Sequence, residues 1–113
     1  MRPPSDALRE KLAALPDKPG CYLMRDRKGT IIYVGKAVSL RRRVQSYFRP
    51  STLRDAAPKL RSMLHSVADL ETVTVRNEAE ALLMESNLIK QYRPRFNIVL
   101  RDDKRYLALR ADP

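Results

Sequence analysis

A chain of 113 residues with 43% hydrophobic content is long enough for one domain with a core of its own. It has no apolar run near the ~20 residues needed to cross a membrane, and its first residues lack the apolar stretch of a signal peptide. A single cysteine, Cys21, excludes a disulfide framework and a thiolate metal cluster, so the expected compartment is the cytoplasm. The formal net charge of +10 is uneven: residues 1–50 hold 12 Lys and Arg against 4 Asp and Glu, and residues 51–113 hold 11 against 9. A polyanion, most commonly nucleic acid, is the expected partner; the plainer reading is a solvated basic surface. The ending Leu109-Arg110-Ala111-Asp112-Pro113 reads as a cut within a longer protein, and the domain is expected to be monomeric.

In chain order, Ser5 is placed to cap a helix running to about Ala14, with Leu8, Leu12 and Leu15 on one side. Leu15-Pro16-Asp17-Lys18-Pro19-Gly20 then halts it. Cys21–Arg25 and Thr30–Val34 are rich in β-branched and aromatic residues, and Asp26-Arg27-Lys28-Gly29 separates them as a turn. If those four residues form the turn, Arg25 faces Thr30, Tyr22 faces Tyr33 and Gly20 faces Gly35. Two phenols side by side, with bare backbone at the open end, let another backbone come close. Ser39 caps the next helix, whose buried stripe is Leu40, Val44 and Phe48. Arg49–Thr52 reads as a break, and a third helix spans about Asp55–Ser66 with Pro58 in its first turn. Leu70–Val75 alternates like a strand. Asn77 with Glu80 starts a long helix, as a capping box would, and Pro94 ends it after Tyr92. Asn97–Leu100 and Tyr106–Leu109 are ambiguous between strand and loop. The order α-β-β-α-α-β-α points to an α+β fold: a small antiparallel three-stranded sheet flanked by helices.

Several residues could carry chemistry, each with a plainer alternative. Glu85 shares a helical face with Leu82, Ile89 and Tyr92. A carboxylate among apolar neighbours needs a partner or a cation, so it either holds a hard ion such as Mg²⁺ or pairs with one of the arginines. Arg43 and Tyr47, one helical turn apart, could grip one phosphate, or Arg43 could belong to a solvated basic face. Arg41 and Arg42 point elsewhere and suit contacts to a nucleic-acid backbone. Tyr33 is a poor base at neutral pH unless Lys36 or a cation favours its ionised form; otherwise it is an ordinary hairpin tyrosine. Asn97 could hold a catalytic group or a metal's waters, or could serve a turn. His65 reads as a surface residue, Cys21 as a small packed side chain, and Asp102-Asp103 as a solvated turn.

Together, Gly20-Cys21-Tyr22, Tyr33-Val34-Gly35-Lys36, Arg43, Tyr47, Glu85 and Asn97 resemble the GIY-YIG nuclease motif. Leu15–Gly20, Glu80–Lys90, Tyr92–Asn97 and Leu100–Lys104 extend the resemblance to the N-terminal domains of the UvrC family, over about Leu15 to Tyr106. Cys21 and Val34 depart from the isoleucines of the motif but keep small or branched apolar side chains.

The resemblance implies one GIY-YIG endonuclease domain over residues 1–113, with residues 1–14 as its N-terminal helix. It implies one-metal hydrolysis of a phosphodiester in damaged double-stranded DNA, on the 3′ side of a lesion in bacterial nucleotide excision repair. Tyr33 would accept the proton of the attacking water, Lys36 would help ionise it, and Tyr22 would orient the network. Glu85 would hold a single Mg²⁺ or Mn²⁺. Arg43 with Tyr47 would neutralise phosphate charge, and Asn97 would brace the site. Gly35, Lys36, Arg41, Arg42 and Arg43 would line the DNA, with Gly20 and Gly35 shaping the backbone. UvrB would be engaged mostly by regions outside this chain. The alternatives are a stand-alone or structure-specific nuclease of the same type, or a non-catalytic DNA-binding module.

Overall fold

The computed structural model describes residues 6–101, as α1 (Asp6–Ala13), β1 (Gly20–Arg25), β2 (Ile31–Ala37), α2 (Leu40–Tyr47), α3 (Pro50–Asp55), α4 (Pro58–Ser66), β3 (Asp69–Thr74), α5 (Glu78–Tyr92) and α6 (Arg95–Arg101). The sheet is antiparallel with β1 between β2 and β3, so the expected α+β architecture is the one found. The expected Ser5 cap, the Asp102-Asp103 turn and the Tyr106–Leu109 segment lie outside the described residues.

Local chemistry explains most element boundaries. Ser39 accepts the Arg42 amide at the head of α2, and Asn77 accepts the Glu80 amide at the head of α5. The Glu80 carboxylate reaches back to the Arg76 amide (2.8 Å), completing a variant of the capping box. Arg93 enters the left-handed region (φ 45°) and closes α5 just before Pro94.

Two expectations for helices are corrected. Pro50 opens a helix instead of breaking one, because a first-turn proline gives up an amide that has no intrahelical partner. Pro58 opens the next helix, in its first turn as expected, so the helix expected over about Asp55–Ser66 starts three residues later, with Asp55 closing α3. The ambiguous Asn97–Leu100 segment belongs to helix α6, whose buried apolar side chains, Phe96 and Leu100, are spaced for a helix.

The expected hairpin register is corrected as well. Asp26 accepts the amides of Lys28 and Thr30 through its side chain, and its own amide donates to the Thr30 carbonyl. Thr30 therefore belongs to the loop, with Gly29 at φ +83° supplying the turn. Arg25 pairs with Ile31, a bulge follows, and from Met24 inward Tyr33 faces Met24, Gly35 faces Tyr22 and Ala37 faces Gly20.

The sheet buries both faces. Tyr22, Met24 and Tyr33 project into the larger core with Leu8, Leu12, Leu40, Val44, Met63 and Leu100. Leu23, Ile31 and Val34 face α5, meeting Leu88 and Ile89. The bulge lets Ile32 join Tyr33 in the larger core. No helix among the described residues is long and apolar enough to cross a membrane.

Candidate active site

Three tyrosines come together where the larger core meets the open end of the hairpin. Tyr22 and Tyr33 are diagonal neighbours across β1 and β2, with ring centroids 6.1 Å apart. Tyr47 arrives from the last turn of α2, its centroid 5.9 Å from that of Tyr22 and its hydroxyl 2.8 Å from the Tyr22 hydroxyl. All three rings are buried. Both motif glycines have a steric reason. A Cβ on Gly35 would stand 2.3 Å from Cζ and Oη of Tyr22, and one on Gly20 would stand 2.2 Å from the Val73 carbonyl oxygen.

Arg43 lies one helical turn before Tyr47 on α2 and is half-buried. Arg41 and Arg42 are exposed beside it. Arg41 already donates its Nε–H to the Leu15 carbonyl (2.9 Å), so part of its role is to hold a loop.

Glu85 lies on α5, whose buried side chains are Ala81 and Glu85. Of the residues expected to share its buried face, Leu82 and Tyr92 are 56% and 44% exposed, while Ile89 packs against the sheet as expected, together with Leu88. Glu85 as a residue is only 7% exposed. Below it, Cys21 donates its thiol to the Ala81 carbonyl (3.3 Å), the group one turn before Glu85. Burial first, and then the Glu85 charge, push the Cys21 thiol up to about 11, with Lys36 pulling weakly the other way. Glu85 and Lys36 are therefore the charged neighbours of Cys21 on the α5 side of the sheet.

Lys36 faces Cys21 across the ladder and is exposed. Tyr33, three residues earlier on β2, points into the larger core on the other side. The strand segment from Tyr33 to Lys36 thus carries the phenol on one face and the ammonium on the other.

The donor set suits one kind of ion. No group of three or more His, Cys, Asp or Glu side chains gathers among the described residues. Cys21 is a protonated hydrogen-bond donor, not a thiolate ligand. A single buried carboxylate fits a hard divalent cation that keeps most of its waters, as Mg²⁺ does.

Asn97, in the first turn of α6, is 7% exposed and makes a two-point contact with the free edge of β2. Its Oδ1 accepts the Val34 amide (2.9 Å) and its Nδ2 donates to the Val34 carbonyl (2.8 Å). The side-chain amide does what a neighbouring strand would do, on the residue between Tyr33 and Gly35. His65 is exposed on α4, as expected.

Sequence reasoning missed the part played by Leu15–Lys18, whose carbonyls and carboxylate meet the head of α2. The signal is the Pro-Asp-Lys-Pro run itself, which reads as a helix stop and as part of the family resemblance but points to no contact with α2.

An antiparallel β2-β1-β3 sheet with hairpin tyrosines in its larger core, and a buried glutamate on the helix packed against that hairpin, agrees with the expected domain of the GIY-YIG type. A family model described as "UvrC-like GIY-YIG domain" matches residues 18–98, and the chain belongs to that family. It is 57% identical over 99 residues to UvrABC system protein C of Moorella thermoacetica, and 54% identical over 99 residues to that of Caldicellulosiruptor saccharolyticus. Each match covers 88% of this chain but only 16% of the relative's length. In structure it is similar to the GIY-YIG N-terminal endonuclease domain of UvrC from Thermotoga maritima bound to its catalytic divalent cation, magnesium. That match has a TM-score of 0.70 at 37% identity, covering 81% of this chain and 97% of the other. A variant of the Thermotoga domain with one tyrosine changed to phenylalanine, likewise bound to the catalytic divalent cation, matches with a TM-score of 0.70 at 36% identity, covering 81% of this chain and 96% of the other.

Proposed function

We propose that this chain is a single endodeoxyribonuclease domain that hydrolyses one phosphodiester of damaged double-stranded DNA, making the 3′-side incision of bacterial nucleotide excision repair. The observation that carries the reading is Glu85, a residue 7% exposed on a helix packed against the tyrosine hairpin. A buried carboxylate on an otherwise apolar helix face is a suitable ligand for a hard divalent cation. Bound there, a single Mg²⁺ or Mn²⁺ supplies Lewis-acid polarisation of the phosphoryl oxygen and stabilises the departing 3′ oxygen.

The chain's own side chains do the rest. Tyr33 Oη takes the proton of the attacking water, and the Tyr22–Tyr47 hydroxyl pair holds the phenol network in one orientation. Arg43 neutralises charge that builds on the phosphorus oxygens. Lys36, exposed at the end of β2, meets the DNA backbone beside Glu85. Asn97 keeps the strand that carries Tyr33 and Gly35 straight. Gly35, Arg41 and Arg42 add backbone contacts along the basic half of the chain.

The domain acts as a monomer in the cytoplasm, and UvrB is its partner through regions of a longer protein. The test is nicking of plasmid DNA with Mg²⁺ or Mn²⁺, run alone and with UvrB on damaged duplex. Glu85→Ala should abolish metal-dependent nicking and leave DNA affinity nearly intact or slightly tighter. Undiminished cutting by that variant removes the metal role and with it this reading.

A further inference from the structure

The segment Leu15–Lys18 joins α1 to β1 and takes no part in the chemistry proposed above. Its polar groups nonetheless converge on the first turn of α2. Ser39 Oγ donates to Asp17 Oδ1 (2.5 Å), the Leu40 amide to the Lys18 carbonyl (2.9 Å), and the Arg41 amide to the Pro16 carbonyl (3.0 Å). The Arg41 guanidinium donates to the Leu15 carbonyl (2.9 Å). One turn further on, the Gln45 side chain reaches the Leu12 carbonyl (2.9 Å).

The leading amides of a helix have no acceptor within it, so whatever supplies acceptors there also fixes where the helix sits. Here two of them, the Leu40 and Arg41 amides, are met by a loop anchored to β1, the strand that carries Tyr22. Ser39 is the hinge of the arrangement: its hydroxyl accepts the Arg42 amide (3.3 Å) while donating to Asp17. Asp17 is the one side chain of Leu15–Lys18 in this set of contacts. The bond from Ser39 holds its carboxyl below the usual carboxylate range, with the Arg42 and Arg41 charges adding to the effect.

We infer that Asp17 is a positioning residue for phosphodiester cleavage: through Ser39 it sets the placement of α2 against β1, and so the placement of Arg43 and of the Tyr47 hydroxyl beside Tyr22. The inference rests on the nuclease reading above, since Arg43 and Tyr47 matter to rate only if that reading holds. The competing role is electrostatic. Asp17 is exposed and close to Arg41 and Arg42, where a carboxylate also offsets part of the basic surface that DNA would meet.

The experiment compares Asp17→Ala, Asp17→Asn and Ser39→Ala, the first also in an Arg43→Ala background. It measures nicking kcat, DNA Kd, and hydrogen exchange of the Leu40 and Arg41 amides. Asp17→Ala should lower kcat on the order of ten- to a hundredfold, the scale of a small misplacement of catalytic groups, with Kd and melting temperature near those of the parent chain. Ser39→Ala should behave alike. Asp17→Asn keeps an oxygen that accepts from Ser39 and should stay within about threefold. In the Arg43→Ala background, Asp17→Ala should cost less than in the parent chain, because one of the two groups it places has been removed.

An unchanged kcat in Asp17→Ala overturns the inference. So does tighter DNA binding by both Asp17 variants at unchanged kcat, which would make Asp17 a charge offset. Should Asp17→Ala fail to fold, a Ser39→Ala variant that folds and cuts at the parental rate overturns it equally. If the parent chain does not nick, the nuclease reading has failed; unaltered exchange of the Leu40 and Arg41 amides in Asp17→Ala then sinks the positioning role by itself.

Discussion

Gly35 sits directly opposite Tyr22 in the β1–β2 ladder, and the space that a side chain would take at Gly35 is filled by the Tyr22 phenol. The glycine is thus the other half of a packing pair, in which a missing Cβ lets a buried ring reach the Tyr47 hydroxyl. Tyr33 then stacks obliquely on the same ring from the diagonal position.

Gly35→Ala tests that pair. The added methyl would stand 2.3 Å from the Tyr22 ring, which is buried and would have to shift. Overpacking of this kind should destabilise the fold by about 1–3 kcal/mol, read as a lower melting temperature. Because Tyr22 must move, the variant should also lose cutting activity at temperatures where it is fully folded.

Asn97 is tested by two substitutions with different signatures. Asn97→Ala removes both partners of Val34 at a fully buried edge, at about 1–3 kcal/mol for each stranded group. Asn97→Asp is nearly isosteric, yet it replaces the donor to the Val34 carbonyl by a second acceptor. It should therefore be no better than the alanine variant in chemical denaturation, although a purely steric role would predict rescue.

Acid stability is linked to the contact between Lys11 on α1 and Asp69 at the start of β3. The Lys11 hydrogen bond, followed by the Leu70 amide, holds the Asp69 carboxyl below its ordinary value. The folded state therefore binds that proton less readily than the unfolded chain does. The stabilising contribution is complete above the ordinary carboxylate value of about 4 and fades as pH falls through the lower folded value. Melting temperatures measured downward from pH 6 should drop less steeply for Asp69→Asn than for the parent chain, and parallel curves would remove the linkage. Since both side chains are 49% exposed, the effect should shrink further in high salt.

Much of the fold was legible because its boundaries are chemical. Ser39, Asn77 and Pro94 mark helix ends by mechanisms that act locally, and all three were read correctly. The hairpin register was not legible, because it depends on the Asp26 side chain drawing Thr30 into the loop, a contact that no pattern of apolar residues reports. Helix α3 was hidden because proline reads alike as a stop or a start. Of the candidate site, the residue types were legible and their sides of the sheet were not. Lys36 and Tyr33 are close in sequence yet project to opposite faces. The buried face of α5 was misjudged because Ala81, the small residue one turn before Glu85, attracts little weight in a hydropathy reading yet allows the close approach of Cys21.

The central claim is that Glu85 holds one divalent cation next to the tyrosine hairpin. Crystals of this chain soaked in Mn²⁺ would report it through anomalous scattering. A single peak within coordinating distance of a Glu85 carboxylate oxygen, absent from crystals of Glu85→Gln, is the expected result. A peak elsewhere, or one at Glu85 that persists in the glutamine variant, would contradict the account.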